Sequence, residues 1–280
     1  MTPGPLVSTA WLAARLGQPD LRIVDATWFM PGDPRSGIAE YRQAHIPGAV
    51  FFDIDAVADR RSPLPHMLPT PEAFADAAGR LGLSRAAATV VYDSQGIFSA
   101  PRVWWTLRVM GFTDVAVLDG GLKAWRAEAR PMEAGEPAPA PTVVAPAFDP
   151  GLVQDLGAVQ AVLASGAAQV LDARPGPRFR GETPEPRAGL RGGHMPGACN
   201  LPFAGLIGED GRMKDPAALA TALADAGIDL NKPVVTTCGS GVSAAVLALA
   251  LAILGRDRAA VYDGSWTEWG GRTDTAVVTG

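Results

Sequence analysis

Cysteine is scarce in this chain: two residues, Cys199 and Cys238, in a length of 280. Two thiols cannot staple a disulfide scaffold, and a reducing cytoplasm is the expected setting. A basic excess is also missing. The 24 lysines and arginines are outnumbered by 29 acidic residues, and the net charge of −5 argues against a nucleic-acid partner. Long hydrophobic runs are absent too. The longest, residues 244–254, is too short to span a bilayer, so no membrane partner is expected. Residues 1–17 have no basic stretch followed by an apolar one, so no secretory signal is expected. Three histidines and two cysteines without short paired spacing make no metal site.

What is present is a duplication. His45-Ile46-Pro47-Gly48-Ala49 recurs as His194-Met195-Pro196-Gly197-Ala198. Each copy follows a β-rich run that ends in an acid, Ile23-Val24-Asp25 and Val170-Leu171-Asp172. Each precedes a second hydrophobic run, a small-residue loop and an apolar helical stretch. Val117-Leu118-Asp119-Gly120 and Val261-Tyr262-Asp263-Gly264 then close the two copies, with Trp125 and Trp269 at matching places. The same order at a nearly constant offset predicts two similar domains. Short strands alternating with helices predict α/β domains, each a parallel sheet with helices on both faces. The expected boundaries are 1–133, a Pro/Ala-rich extended linker over 134–150, and 151–280.

Ligands of open parallel sheets bind beyond the carboxyl ends of the strands. Two loops are expected there. In the second half, Cys238-Gly239-Ser240-Gly241-Val242-Ser243-Ala244 follows a strand and opens a helix. Glycines allow the backbone to curl so that successive N–H groups face inward. That nest and the positive helix end favour a sulfur anion, whether thiolate or persulfide. Cys238 is therefore the expected nucleophile, with Gly239, Ser240, Gly241, Val242 and Ser243 as its cradle. Cys199 begins a short strand with no nest after it and is expected to pack structurally. A cysteine phosphatase would want an arginine at position 244, where this chain has alanine. The first half offers Asp93-Ser94-Gln95-Gly96-Ile97-Phe98-Ser99-Ala100 in the corresponding place. An aspartate cannot carry sulfur, so that half is expected to be catalytically silent.

These residues resemble the rhodanese superfamily, and within it the two-domain mercaptopyruvate branch. The marks are the repeated His-X-Pro-Gly-Ala, the Cys-Gly-Ser-Gly-Val-Ser-Ala loop and Asp263-Gly264-Ser265-Trp266-Thr267-Glu268-Trp269. The resemblance covers nearly the whole chain. It implies two tandem rhodanese-like domains, and a sulfurtransferase that moves sulfur through a Cys238 persulfide without a cofactor. It implies 3-mercaptopyruvate as the donor, and thioredoxin, a small thiol or cyanide as the acceptor. By position it assigns Asp55, His66 and Ser240 to a proton relay, and Arg178 and Arg187 to the substrate. Planar, permanently charged guanidinium groups suit the carboxylate and carbonyl of an α-keto acid. His45 and His194 recur in both halves and are expected to be structural. The rivals are a thiosulfate sulfurtransferase and a non-enzymatic sulfur carrier on the same fold.

Overall fold

The computed structural model describes residues 1–280. Five parallel strands form each of two sheets. The first contains β1 (Leu6–Val7), β2 (Leu21–Asp25), β3 (Ala49–Phe51), β4 (Ala88–Tyr92) and β5 (Val115–Leu118), in the order β1-β5-β4-β2-β3. The second contains β6 (Val153–Gln154), β7 (Gln169–Asp172), β8 (Cys199–Asn200), β9 (Val234–Thr237) and β10 (Ala260–Tyr262), in the order β6-β10-β9-β7-β8. The two orders are the same, so the duplication read from the sequence extends to the topology. β4 and β9 are buried along their whole length, as strands covered on both faces must be.

The helices of the first unit are α1 (Thr9–Ala13), α2 (Gly37–Gln43), α3 (Ile54–Val57), α4 (Pro71–Arg80), α5 (Ala100–Val109) and α6 (Gly121–Ala127). Leu12 of α1, Tyr41 of α2, and Leu122 and Trp125 of α6 pack with Ile23, Val90 and Leu118 of the strands. α5 lies on β4 and β5. The second unit has α7 (Leu156–Ser165), α8 (Gly176–Phe179), α9 (Pro216–Asp225), α10 (Ala244–Ile253) and α11 (Ser265–Trp269). One of its cores joins Val159 of α7 to Val170, Val235, Tyr262, and Trp266 and Trp269 of α11.

The compact units are not contiguous stretches of chain. The first comprises residues 1–59, 68–149 and 208–213, the second 60–67, 150–207 and 214–280. The proline-rich stretch is extended but bound to the first unit. Gly79 O accepts from Thr142 N at 2.9 Å, Arg85 donates to Ala145 O at 2.7 Å, and Asp149 N donates to Val109 O at 2.7 Å. Residues 208–213 join that unit through polar contacts. Met213 N donates to Asp119 Oδ1 at 2.9 Å, Lys123 Nζ to Glu209 O at 2.9 Å, and Arg212 Nη2 to Glu128 Oε1 at 2.6 Å. Residue spacing carries no trace of such contacts.

Both His-X-Pro-Gly-Ala histidines are structural, as expected. His45 Nδ1 lies 2.7 Å from Tyr41 O with its ring stacked on Tyr41, and His194 Nδ1 lies 2.9 Å from Phe179 O, stacked on Phe179.

The acids that end β2 and β7 have different fates. Asp172 pairs with Arg174, Nη2 to Oδ2 at 2.8 Å, both fully buried. Asp25 has Thr27 two residues on, whose N–H donates to Oδ1 at 2.8 Å, and no cation follows. Burial pushes the Asp25 carboxyl up to about 6, against hydrogen bonds from Thr27 and Tyr92 that hold it down. The folded chain therefore binds this proton more tightly than the unfolded chain. The stability Asp25 contributes is full below its unfolded value near 3.8 and is lost as pH rises through about 6. Asp25→Asn is expected to raise stability by up to about 3 kcal/mol near neutral pH and not at all near pH 4. Urea melts at the two pH values check this, and an equal change at both would show the effect is not ionisation.

Candidate active site

The second unit builds its loop from a buried strand and a buried helix. Pro233 precedes β9, and Val234–Thr237 are all buried. α10 has no charged residue and is buried from Ala244 through Ala252, so it is fixed on every side. The six residues between, Cys238–Ser243, have little freedom. Gly241 takes a left-handed turn at φ +78°, which a side chain would oppose. Ser243 is the N-cap of α10, yet its hydroxyl makes no capping bond. Cys238 is 2 % exposed, and Ser240, Gly241 and Val242 are buried beside it.

α11 braces the start of this loop. Trp266 N donates to Cys238 O at 2.9 Å, Thr267 N to Gly239 O at 2.9 Å, and Thr267 Oγ1 to the same carbonyl at 2.6 Å. In a trans peptide the carbonyl and the following N–H point opposite ways. Fixing these two carbonyls on α11 therefore aims the amides of Gly239 and Ser240 away from it. Ser265 Oγ accepts from Cys238 N at 3.3 Å and donates to Tyr262 O at 2.8 Å. Its φ of +50° is a strained conformation for a serine.

The first unit repeats this loop with one extra residue and a different occupant. Asp93 is fully buried. Its Oδ2 accepts from the amides of Phe98, Ser99 and Ala100 at 2.8–2.9 Å, and Oδ1 from Gln95 N at 2.9 Å. Burial pushes this carboxyl up while the four N–H donors pull it down. A nest of the kind expected around Cys238 is present at the end of β4 in the first half, where the chain's own Asp93 carboxyl fills it. Leu122 N donates to Asp93 O at 2.9 Å, as Trp266 N does to Cys238 O. Gly121 and Lys123 stand where the second unit has Ser265 and Thr267, so neither hydroxyl has a counterpart.

A buried ion cluster lies next to the Cys238 loop. Arg178, at the end of α8, reaches Gly239: a Cβ built there would sit 3.2 Å from Arg178 Nη2 and near nothing else. Gly239, unlike Gly241, has no positive φ, so its missing side chain serves space rather than backbone conformation. Arg178 Nη2 donates to Glu185 Oε2, and its Nε is buried without a protein partner. Arg187 Nη2 lies 3.3 Å from His66 Nε2 within the same unit. His66 holds φ +61°, another left-handed conformation that a side chain resists. The second unit therefore brings together Cys238 and Arg178 at the loop, and His66 and Arg187 beside one another. Asp55 belongs to the first unit, where its Oδ2 accepts from Trp28 Nε1 at 2.9 Å. Cys199 is half-buried on β8, and burial pushes its thiol up, away from the reactive thiolate.

The rhodanese-like domain model matches residues 8–128 and 155–272. The chain belongs to the rhodanese family. Each match covers four of the five strands of one sheet. The human 3-mercaptopyruvate sulfurtransferase (Homo sapiens) is 44 % identical over 271 residues, covering 94 % of this chain and 91 % of its own. A thiosulfate sulfurtransferase of Cricetulus griseus is 42 % identical over 271 residues, covering 94 % and 91 %. Among solved structures, SseA from Escherichia coli, described as a 3-mercaptopyruvate sulfurtransferase with the rhodanese fold, superposes with a TM-score of 0.87. It has 42 % identity and covers 94 % of this chain and 99 % of that one.

Several residues of this rhodanese site escaped sequence reading: Arg174, Glu185, Ser265, Thr267, and Asp93 as the occupant of its own nest. A signal existed for some. They are places where the aligned halves differ, such as Asp172-Ala173-Arg174 against Asp25-Ala26-Thr27. Removing the Asp93 carboxylate leaves four amides without an acceptor, those of Ser99 and Ala100 buried and those of Gln95 and Phe98 partly so. Asp93→Ala is expected to cost about 2–6 kcal/mol, since each buried unsatisfied donor costs about 1–3 kcal/mol and the other two can find water. Asp93→Asn, which keeps an acceptor, should cost clearly less. Denaturant titration of the two variants tests this, and equal losses would show that the carboxylate's acceptor role is not what matters.

Proposed function

We propose that this chain is a 3-mercaptopyruvate sulfurtransferase with Cys238 as its nucleophile. The Cys238 thiolate attacks the thiol sulfur of the donor. An S–S bond forms as the carbon–sulfur bond breaks, and the electron pair leaves on carbon as the enolate of pyruvate. A proton delivered to that carbon completes pyruvate. Cys238 remains as a persulfide, held by loop amides and the α10 N-terminus. An acceptor thiolate, from thioredoxin or a small thiol, or else cyanide, then attacks the outer sulfur and frees Cys238. No step calls on a metal or an organic cofactor.

The position of Arg178 carries the donor reading. Thiosulfate concentrates two charges beside its reacting sulfur and would gain from cations in the loop itself. Here the loop offers a glycine, a serine and a glycine, and the guanidinium comes from α8 to the side. Mercaptopyruvate places its carboxylate several bonds from the sulfur, which suits a cation set apart from the nucleophile. Arg178 and Arg187 bind the carboxylate and carbonyl in this reading. His66, beside Arg187, supplies the proton to the enolate with Ser240 and Asp55 as the other members of the relay. Two unpaired cysteines fit a reducing compartment, and we place the chain in the cytoplasm. No helix is long and apolar enough to cross a membrane.

Cys238→Ser is expected to abolish turnover, whereas Cys199→Ser keeps most of it. After donor treatment, intact mass should rise by one sulfur per chain in the Cys199→Ser protein, and sulfur on Cys199 would overturn the assignment. Arg187→Ala should lower kcat/KM for mercaptopyruvate by about 10- to 100-fold, the loss of one hydrogen bond to a charged group, with a much smaller change for thiosulfate. A wild type that prefers thiosulfate would favour the thiosulfate reading.

For the relay, His66→Ala or Asp55→Asn is expected to slow pyruvate formation by about 10²–10⁴-fold, the usual weight of a general acid or base. Single-turnover pyruvate release together with a melting curve separates the possibilities. Unchanged pyruvate release with a lowered melting temperature would make His66 structural.

A further inference from the structure

A long arginine side chain at the end of a one-turn helix has many rotamers, and a substrate-binding guanidinium needs only one of them. We propose that Glu185 selects it: Glu185 is a positioning residue that holds Arg178 beside the nucleophilic loop for the donor's carboxylate. This rests on the reading of Arg178 as the donor's charge partner. The Glu185 side chain is 1 % exposed, so its carboxylate has no water to satisfy it. One oxygen, Oε2, accepts from Arg178 Nη2. The other, Oε1, accepts from Arg174 Nη1 at 2.8 Å.

Arg174 cannot serve the substrate itself. Its Nε and Nη2 lie on Asp172, Nη2 also donates to Gly193 O at 2.8 Å, and the guanidinium stacks on Trp266 at 4.1 Å. It is a fixed post at the end of β7. Glu185 is tied to that post, and Arg178 to Glu185. The chain of contacts runs from the sheet to the edge of Gly239, where a Cβ would already crowd Arg178. Glu185 occupies only part of the Arg178 fork. The Arg178 side chain keeps 20 % exposure, and Glu185 engages only its Nη2, which leaves guanidinium donors for the substrate.

The silent half is an internal control. Asp25 matches Asp172, but Thr27 stands where the second half has Arg174, so no post exists there for a second carboxylate. The cluster occurs only in the half that carries the cysteine, which a purely fold-stabilising role does not account for.

The test is a double-mutant cycle on the full chain with mercaptopyruvate as donor: wild type, Glu185→Gln, Arg178→Ala and the pair. Glu185→Gln is expected to lower kcat/KM about tenfold, chiefly through KM. In the Arg178→Ala background the same change should do nothing further. The alkylation rate of Cys238 by iodoacetamide, in a Cys199→Ser background, should be the same with and without Glu185→Gln once Arg178 is alanine, since the Glu185 change then has no guanidinium left to move. If Glu185→Gln folds poorly, Glu185→Asp replaces it: the charge stays for Arg174, but the shorter arm cannot reach both guanidinium groups, and the same KM effect is expected. If Arg178→Ala weakens the enzyme while the Glu185 change has no effect, improves it, or adds fully in the pair, the positioning role is overturned alone. If Arg178→Ala itself leaves kcat/KM unchanged, the donor reading falls and the proposal with it.

Discussion

An amide turned into a buried loop must find an acceptor, and this constraint shapes both halves of the chain. At the end of β4 the acceptor is Asp93, which takes four N–H groups on its two oxygens. At the end of β9 the corresponding residue is Cys238, whose sulfur as thiol is a poor acceptor and as an anion a good one. The matching strand end thus carries a carboxylate bound by four amides in one half and a buried thiol in the other. Nothing about the two sheets has to differ for this. One side chain at one strand end separates a loop closed on its own carboxyl from one that carries a buried thiol.

The surroundings are adjusted to that difference. In the second unit, hydroxyls of Ser265 and Thr267 bind the backbone of Cys238 and Gly239, and Ser265 accepts a strained backbone to do so. The first unit has Gly121 at φ +53°, a conformation that costs glycine little. Likewise Arg174 neutralises Asp172 and gathers Glu185, while Asp25 stays without a cation and is pushed toward its neutral form. The buried ion cluster and the strained Ser265 thus lie around the Cys238 loop, and the matching loop of the first half has neither.

Much of this was legible in the residues. The His-X-Pro-Gly-Ala repeats, the two strand–loop–helix passages and the acid that ends β2 and β7 fixed a duplicated parallel α/β architecture, because strand and helix signals are local. Cys238 stood out from Cys199 for the same reason: glycines and an uninterrupted apolar helix follow one and not the other. The role of Gly239 was read less well. Both loop glycines suggested a tight turn, but only Gly241 is left-handed, and Gly239 makes room for Arg178. A missing side chain looks the same in sequence whether the cause is a dihedral angle or a neighbour.

The sequence by itself determined the order of strands and helices, the place of the cysteine at a strand end and the aspartate in the matching place of the first half. Each follows from residues close together in the chain: a hydrophobic period, a glycine, an aspartate where sulfur chemistry needs a thiol. Only the tertiary structure decided that Glu185 bridges Arg174 and Arg178, that α11 braces the loop's carbonyls, and that Asp93 fills its own nest. It also decided that residues 60–67 and 208–213 join units other than those of their sequence neighbours. Those are matters of direction, set by which way a carboxylate or an amide points once distant segments have packed, and direction is not written in the spacing of residues along a chain.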